Sequence, residues 1–194
     1  MWVKICGLTS AEAVAAAVSC GADAIGFVFA PSVRQVTAAQ AAEYARGAPK
    51  RMMRVAVMKH PEQALLDEVC ATFRPDALQT DVEDFDRLRV PDGLLTIPVF
   101  RDGHALRERL PARLLYEGKV SGAGSTADWN AAARLAAQTE VILAGGLNSA
   151  NVRAAIESVR PFGVDVSSGV ERAPGVKDAA LIEAFVRAAR EAGA

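Results

Sequence analysis

The chain has 194 residues, 51% hydrophobic and 23% charged, which is enough apolar material for a buried core and too much for a disordered segment. Its 22 basic and 23 acidic side chains leave a formal charge of -1, so there is no basic surplus to grip a nucleic acid or an anionic membrane. Three cysteines make no disulfide framework, no apolar run approaches the roughly 20 residues of a membrane span, and the start MWVKICGLT lacks the pattern of a secretory leader. A reducing cytoplasm is therefore the expected compartment.

Short β-branched runs alternate with alanine-rich amphipathic segments from end to end. Trp2 to Cys6 reads as a strand, followed by Ala11, Val14, Ala15 and Val18 at helical spacing and by Gly21 as a stop. Ala24 to Phe29 and Ala38 to Arg46 form the second strand–helix unit, and Arg54 to Met58 with Glu62 to Phe73 the third. A weaker strand, Ala77 to Gln79, precedes a poor helix at Val82 to Leu88. Leu94 to Phe100 and Ala105 to Leu110 follow, then Arg113 to Glu117 and Asn130 to Ala137. The clearest units close the chain: Val141 to Ala144 with Ala150 to Val159, and Gly163 to Val166 with Ala179 to Ala192.

Strict alternation of this kind predicts parallel strands joined by helical crossovers. An open doubly wound sheet would bring G-x-G-x-x-G after its first strand, and Cys6-Gly7-Leu8-Thr9 does not match. Eight repeats point instead to a single (β/α)8 barrel domain over residues 1–194. Such barrels typically take about 250 residues, so this one is of minimal length. About 24 residues per unit allow a short strand, a helix of some ten residues and tight turns.

In a parallel barrel the chemistry sits at the C-terminal ends of the strands. After the seventh strand come Gly145, Gly146, Leu147 and Asn148; after the eighth, Asp165 leads to Ser167, Ser168 and Gly169. Glycines let backbone N–H groups approach a ligand, and two such turns, each entering a helix, predict an anion cradle backed by helix dipoles, with Asn148 or Ser149 as N-cap of the first. Cys6 ends the first strand, where a thiol can serve as nucleophile or general base, and Lys4 shares its inward face. Glu117, on the rim after the sixth strand, could supply the acid of an acid–base pair. Asp128 reads as a helix cap, with the acid role as its alternative. Arg34, after the second strand, could bind a substrate carboxylate. His60 and His104 make no metal-ligand spacing with one another.

The blocks Lys4 to Thr9, Gly21 to Phe29, Ser32 to Val36, Leu143 to Asn148 with Asn151-Val152, Gly163 to Glu171 and Pro174 to Asp178 together resemble the phosphoribosylanthranilate isomerases of tryptophan biosynthesis. The resemblance implies a cofactor-free, metal-free Amadori rearrangement of a phosphorylated aminoaldose to a ketoamine. It implies Cys6 as the base at C2, a carboxyl acid at the end of the sixth strand, Arg34 on the anthranilate carboxylate, Gln79 at the substrate, and the two glycine loops on the phosphate. The partner is then a small phosphorylated substrate, with the chain a monomer or homodimer. Two positions depart from the pattern: Glu117 stands where aspartate is commoner, and Asp81 where many members carry histidine, so Asp81 takes no role. The short segment Gly118 to Asp128 also weakens a lid function. The rivals are a dual-substrate sugar isomerase that also serves histidine biosynthesis, a phosphopentose epimerase, and a non-catalytic phosphate-binding barrel. The first would show two-fold repetition and two mouth carboxylates. The second would carry histidine ligands at its strand ends.

Overall fold

A computed structural model describes residues 1–103, 109–118 and 127–193. Eight parallel strands close on themselves in chain order: β1 (Trp2–Cys6), β2 (Ala24–Val28), β3 (Met53–Val57), β4 (Ala77–Asp81), β5 (Leu95–Arg101), β6 (Arg113–Glu117), β7 (Glu140–Leu143) and β8 (Gly163–Val166). The seam is β1 against β8, with Lys4 opposite Asp165 and Ile5 opposite Val166. Alternate residues face opposite sides of the wall. One set fills the barrel (Ala24, Val55, Ala77, Ile97, Val99, Leu115, Ile142 and Ala144), while the other packs outward in a larger cluster that includes Ile5, Phe27, Leu78, Phe100 and Leu114.

The outer layer is helical, and local chemistry explains where each helix begins. In α1 (Ala11–Ser19) the Ser10 hydroxyl accepts from Ala13 N–H. α2 (Ala38–Tyr44) opens on a reciprocal cap between Thr37 and Gln40. α3 (Gln63–Thr72) and α4 (Trp129–Ala136) follow, α4 capped by the Asp128 carboxylate as its sequence position predicts. α5 (Val152–Val159) and α6 (Ala179–Ala192) are the last two among the described residues. α6 is capped by Asp178 and buries Ile182, Phe185, Val186 and Ala189 against the wall. No helix among the described residues is long and apolar enough to cross a membrane.

Three sequence expectations need correction. The poor helix expected at Val82 to Leu88 is a 3-10 turn over Val82–Asp86. Asp84 accepts there from the Thr80 hydroxyl and the His60 N–H, side-chain bonds that compete with α-helical winding. α5 begins at Val152 rather than Ala150, because the Asn148 carboxamide caps Ala150 and Asn151 in a turn of its own, and the N-cap Asn151 makes no side-chain cap. The helix after the eighth strand starts at Ala179 as the spacing predicts, but the turn after β8 does not lead straight into it: a 3-10 turn (Ser168–Val170) and a small hairpin of β9 (Glu171–Ala173) and β10 (Val176–Lys177), turning on Gly175 at φ 79°, come between. Most of the helix expected at Ala105 to Leu110 lies outside the described residues, as does most of the segment read as a lid.

Phe185 is completely buried between α6 and the wall. Phe185→Ala is expected to lower unfolding free energy by about 3–5 kcal/mol, and Asp178→Ala, which removes only a cap, by about 1 kcal/mol. Urea denaturation followed by circular dichroism measures both.

Candidate active site

The inward phase that fills the barrel with apolar side chains continues to the C-terminal ends of the strands, where it changes chemistry. In phase with the interior residues two positions earlier stand Cys6 on β1, Asp81 on β4, Arg101 on β5 and Glu117 on β6, with Ser167 just beyond β8. Cys6 lies directly beside Gly26 of β2 and is 7% exposed. Below it, the wholly buried Lys4 donates to Asp165 across the seam at 2.8 Å. Burial pushes the Cys6 thiol above its ordinary value and Asp165 adds to this, while Lys4 and Lys177 oppose it. Burial also works against the Lys4 charge, yet Asp165 and Cys6 hold the ammonium above its usual range.

Arg34 is neither free nor simply exposed. Its Nε and Nη2 donate to the two oxygens of Glu171 at 2.7 and 2.8 Å, and its side chain packs across Gly7, where a Cβ would stand 2.6 Å from Cδ. Lys177 donates to the same carboxylate at 2.7 Å and to the Ser167 carbonyl at 3.0 Å. Burial would raise the Glu171 carboxyl, but Arg34, Lys177 and the Gly175 N–H bring it down to about 2. Burial outweighs Glu171 at Lys177, whose ammonium sits below its ordinary value.

Across the mouth, Arg101 bridges two carboxylates. It donates to Asp81 and, through Nη2, approaches Glu117 Oε1 at 3.0 Å. Asp81 also meets His60 Nε2 at 3.2 Å, and His60 Nδ1 lies 3.0 Å from Asp84. Gln79, on β4 below Asp81, is 6% exposed, and its Oε1 has no hydrogen-bond partner among the described residues. A buried acceptor left open in this way is expensive unless a ligand satisfies it.

The two glycine turns complete the rim. Gly145 and Gly146 have φ 87° and 63°, the left-handed region that glycine enters without strain. Gly169 touches the first turn so closely that a Cβ there would lie 2.0 Å from the Leu147 carbonyl oxygen. The cradle differs from the sequence expectation in one respect. The first turn reaches α5 through the Asn148–Asn151 turn and the second runs into a 3-10 turn rather than an α-helix, so the N–H groups nearest the rim are those of the turns themselves. Asn151 braces the first turn by donating to the Gly146 carbonyl. In the second, the bonded donors of the 3-10 turn start at Val170, leaving the N–H groups of Ser168 and Gly169 ahead of the first helical bond.

Cys6, Glu117, Gln79, Ser167 and both glycine turns thus meet at one end of the barrel, with Arg34 folded over Gly7 beside them. Asp128 stays on the outer surface as a cap. Sequence reasoning missed Arg101, Lys177, Glu171 and the role of Asp81 as a partner of Arg101. The signal for Arg101 was strand parity, since it stands two residues beyond the inward Val99. His60, Asp81 and Asp84 bring possible metal-ligand atoms within 4.8 Å of one another. Arg101 already neutralises Asp81, and Arg87 neutralises Asp84 at 2.9 Å, so the trio is poorly matched to a cation.

Comparison with known proteins adds to this geometry. Residues 3–188 match the family model of N-(5'-phosphoribosyl)anthranilate isomerase. The N-(5'-phosphoribosyl)anthranilate isomerase of Bradyrhizobium sp. is 37% identical over 98% of this chain and 95% of its own length. Among solved structures, the phosphoribosylanthranilate isomerase of Thermus thermophilus superposes with a TM-score of 0.84 at 30% identity, over 98% of this chain and 99% of its own. A phosphoribosylanthranilate isomerase in complex with reduced 1-(o-carboxyphenylamino)-1-deoxyribulose 5-phosphate gives 0.79 at 30% identity, with the same coverage of each chain.

The depressed Glu171 carboxyl sets a pH dependence. Its pKa is lower in the folded chain, about 2 against an ordinary 4.5, so the stability it contributes is present above 4.5 and is lost as pH falls through that window toward 2. Unfolding free energy measured from neutral pH downward is expected to fall less steeply across this window in Glu171→Gln than in the parent.

Proposed function

The chain belongs to the N-(5'-phosphoribosyl)anthranilate isomerase family and is an isomerase of tryptophan biosynthesis, and we propose that it rearranges its substrate with Cys6 as general base and Glu117 as general acid. The observation that carries this reading is the ring of groups just described. A thiol on β1 and a carboxyl on β6 face into one mouth, whose remaining edge is two touching glycine turns.

Ring opening comes first. Glu117 gives a proton to the furanose ring oxygen while the anilino nitrogen pushes its lone pair toward C1, breaking the C1–O bond and leaving an iminium. Arg101, 3.0 Å from Glu117 Oε1, holds the carboxyl in place at the mouth. The Cys6 thiolate then removes the proton from C2. The iminium accepts the electron pair, and the resulting enol-amine tautomerises to the ketone. Each step is a proton transfer with the electrons kept inside the substrate, so the chemistry calls for no cofactor.

Binding is assigned by chemistry. Gly145, Gly146, Ser168 and Gly169 offer backbone N–H groups to the phosphate, with the Ser167 hydroxyl beside them and Asp165 acting indirectly by holding Lys4. The Gln79 carboxamide oxygen accepts from a substrate hydroxyl or N–H. Arg34 commits Nε and one Nη2 proton to Glu171, which leaves its other edge for the anthranilate carboxylate, and Glu171 and Lys177 fix that edge in place. Anchoring both ends of the substrate turns its reacting carbons toward Cys6 and Glu117. All these groups come from one chain, so residues 1–194 suffice as one domain, as monomer or homodimer. Three free thiols suit a cytoplasmic setting.

Cys6→Ala and Glu117→Gln are each expected to lower kcat by about a hundredfold or more, the usual scale of general acid–base catalysis. Turnover of freshly made substrate, followed by loss of anthranilate-type fluorescence, reads both. Parent-level activity in Glu117→Gln would reassign the acid, and absence of turnover in folded parent protein would sink the reading in favour of a binding barrel. Separately, inorganic phosphate is expected to inhibit competitively, and Gly169→Ala to weaken that inhibition by forcing the two turns apart.

A further inference from the structure

Lys4 takes no part in the two proton transfers, yet it is wholly buried beside the thiol that carries one of them. An ammonium in a barrel core is expensive, and a well-packed apolar side chain at its position would often be neutral or stabilising. The local packing shows where the charge is aimed. A Cβ on Gly26 would stand 2.9 Å from Lys4 Cε, 3.2 Å from Lys4 Nζ and 3.1 Å from Cys6 Sγ. The ammonium and the thiol therefore converge over the one position on β2 that lacks a side chain. Asp165, opposite Lys4 across the seam, holds the ammonium there at 2.8 Å.

We propose that Lys4 is the positioning residue for Cys6: Asp165 fixes its ammonium at the thiol, and that ammonium is the cation against which the thiolate forms. This rests on Cys6 being the base. The thiol loses its proton to solvent, the thiolate takes the C2 proton and is left as thiol, and Lys4 keeps its three protons throughout.

Among the described residues the charged groups that act on Cys6 are Lys4 from its own strand, Asp165 from β8, Lys177 from β10 and Arg34 from the loop after β2. Lys177 and Arg34 both spend their charge on Glu171. Lys4 alone shares the space over Gly26 with the sulfur. A purely structural lysine would serve equally well pointing away from the thiol.

The test replaces Cys20 and Cys70 with serine, so that Cys6 is the only thiol and its thiolate absorbance can be titrated directly. In that background Lys4→Met is expected to move the thiol titration up by about one pH unit or more. The rising limb of kcat/KM against pH should move with it, an about tenfold loss below the limb. Lys4→Met strands the Asp165 carboxylate, so Lys4→Met combined with Asp165→Asn is measured beside it, with a shift in the same direction expected. A folded double variant whose thiol titrates as in the parent overturns the proposal, and a structural lysine would give that result with lowered stability alone. A thiol titration that moves while the kcat/KM limb stays fixed overturns Cys6 as base, the premise, rather than the coupling of Lys4 to the thiol.

Discussion

The seam between β1 and β8 is the contact on which the rest of the molecule depends. Lys4 and Asp165 stand 161 residues apart in sequence and pair side by side in register, so the chain's two ends meet at a buried ion pair. Without closure there is no interior, and the alternation that separates core from outer shell has nothing to enclose. Closure also brings the Cys6 thiol next to the turn after β8 and, through Gly169, to the turn after β7. The thiol of the first strand and the glycine turns that follow the last two, which we propose as base and anion cradle, become neighbours through this one strand pairing.

The mouth is crowded with charge, and the way that charge is paired explains how it is tolerated. Lys4 is matched to Asp165, Arg34 and Lys177 to Glu171, and Arg101 to Asp81 and Glu117. Isolated, any of these groups would be costly to bury, and breaking one pair would cost more than the pair contributes. Paired, they form a rigid polar lining whose dipoles need no rearrangement when charge develops on a substrate. The arrangement trades fold stability for fixed orientation. The same trade would hold at Gln79, whose carboxamide oxygen, without a partner among the described residues, is the acceptor we propose for the substrate.

Much of this was legible in the sequence because strand parity and glycine placement are local signals. The eight strands, the inward phase of Lys4 and Cys6, and both glycine turns follow from short stretches of chain. What escaped was set by partners distant in sequence. Arg34 looked available because nothing near it is acidic; Glu171, which claims it, lies 137 residues on, in a hairpin that reads as loop. Arg101 and Asp81 are 20 residues apart on neighbouring strands, and only the register that sets Asp81 opposite Val99 reveals that they meet. The helix after β4 failed for a local reason that hydrophobic periodicity cannot see: Asp84 is drawn into Thr80 and His60 rather than left on a solvent face.

The short chain has a consequence for how the site is built. Its helices of seven to ten residues between strands are just long enough to reach back to the next strand. Beyond β8 the chain adds a hairpin, which carries Glu171 and Lys177, and the fourteen-residue α6, which braces the seam from outside. Both additions serve the same place. Asp23 ties α6 to β1 from below, accepting from Val3 N–H at 2.7 Å and from Arg190 at 2.8 Å, while Lys177 of the hairpin reaches Ser167 from above. A minimal barrel has little loop from which to build a site, so its chemistry must come from the strand ends. The strand ends can hold it only if the seam beneath them is rigid, and the hairpin and α6 pack beside that seam.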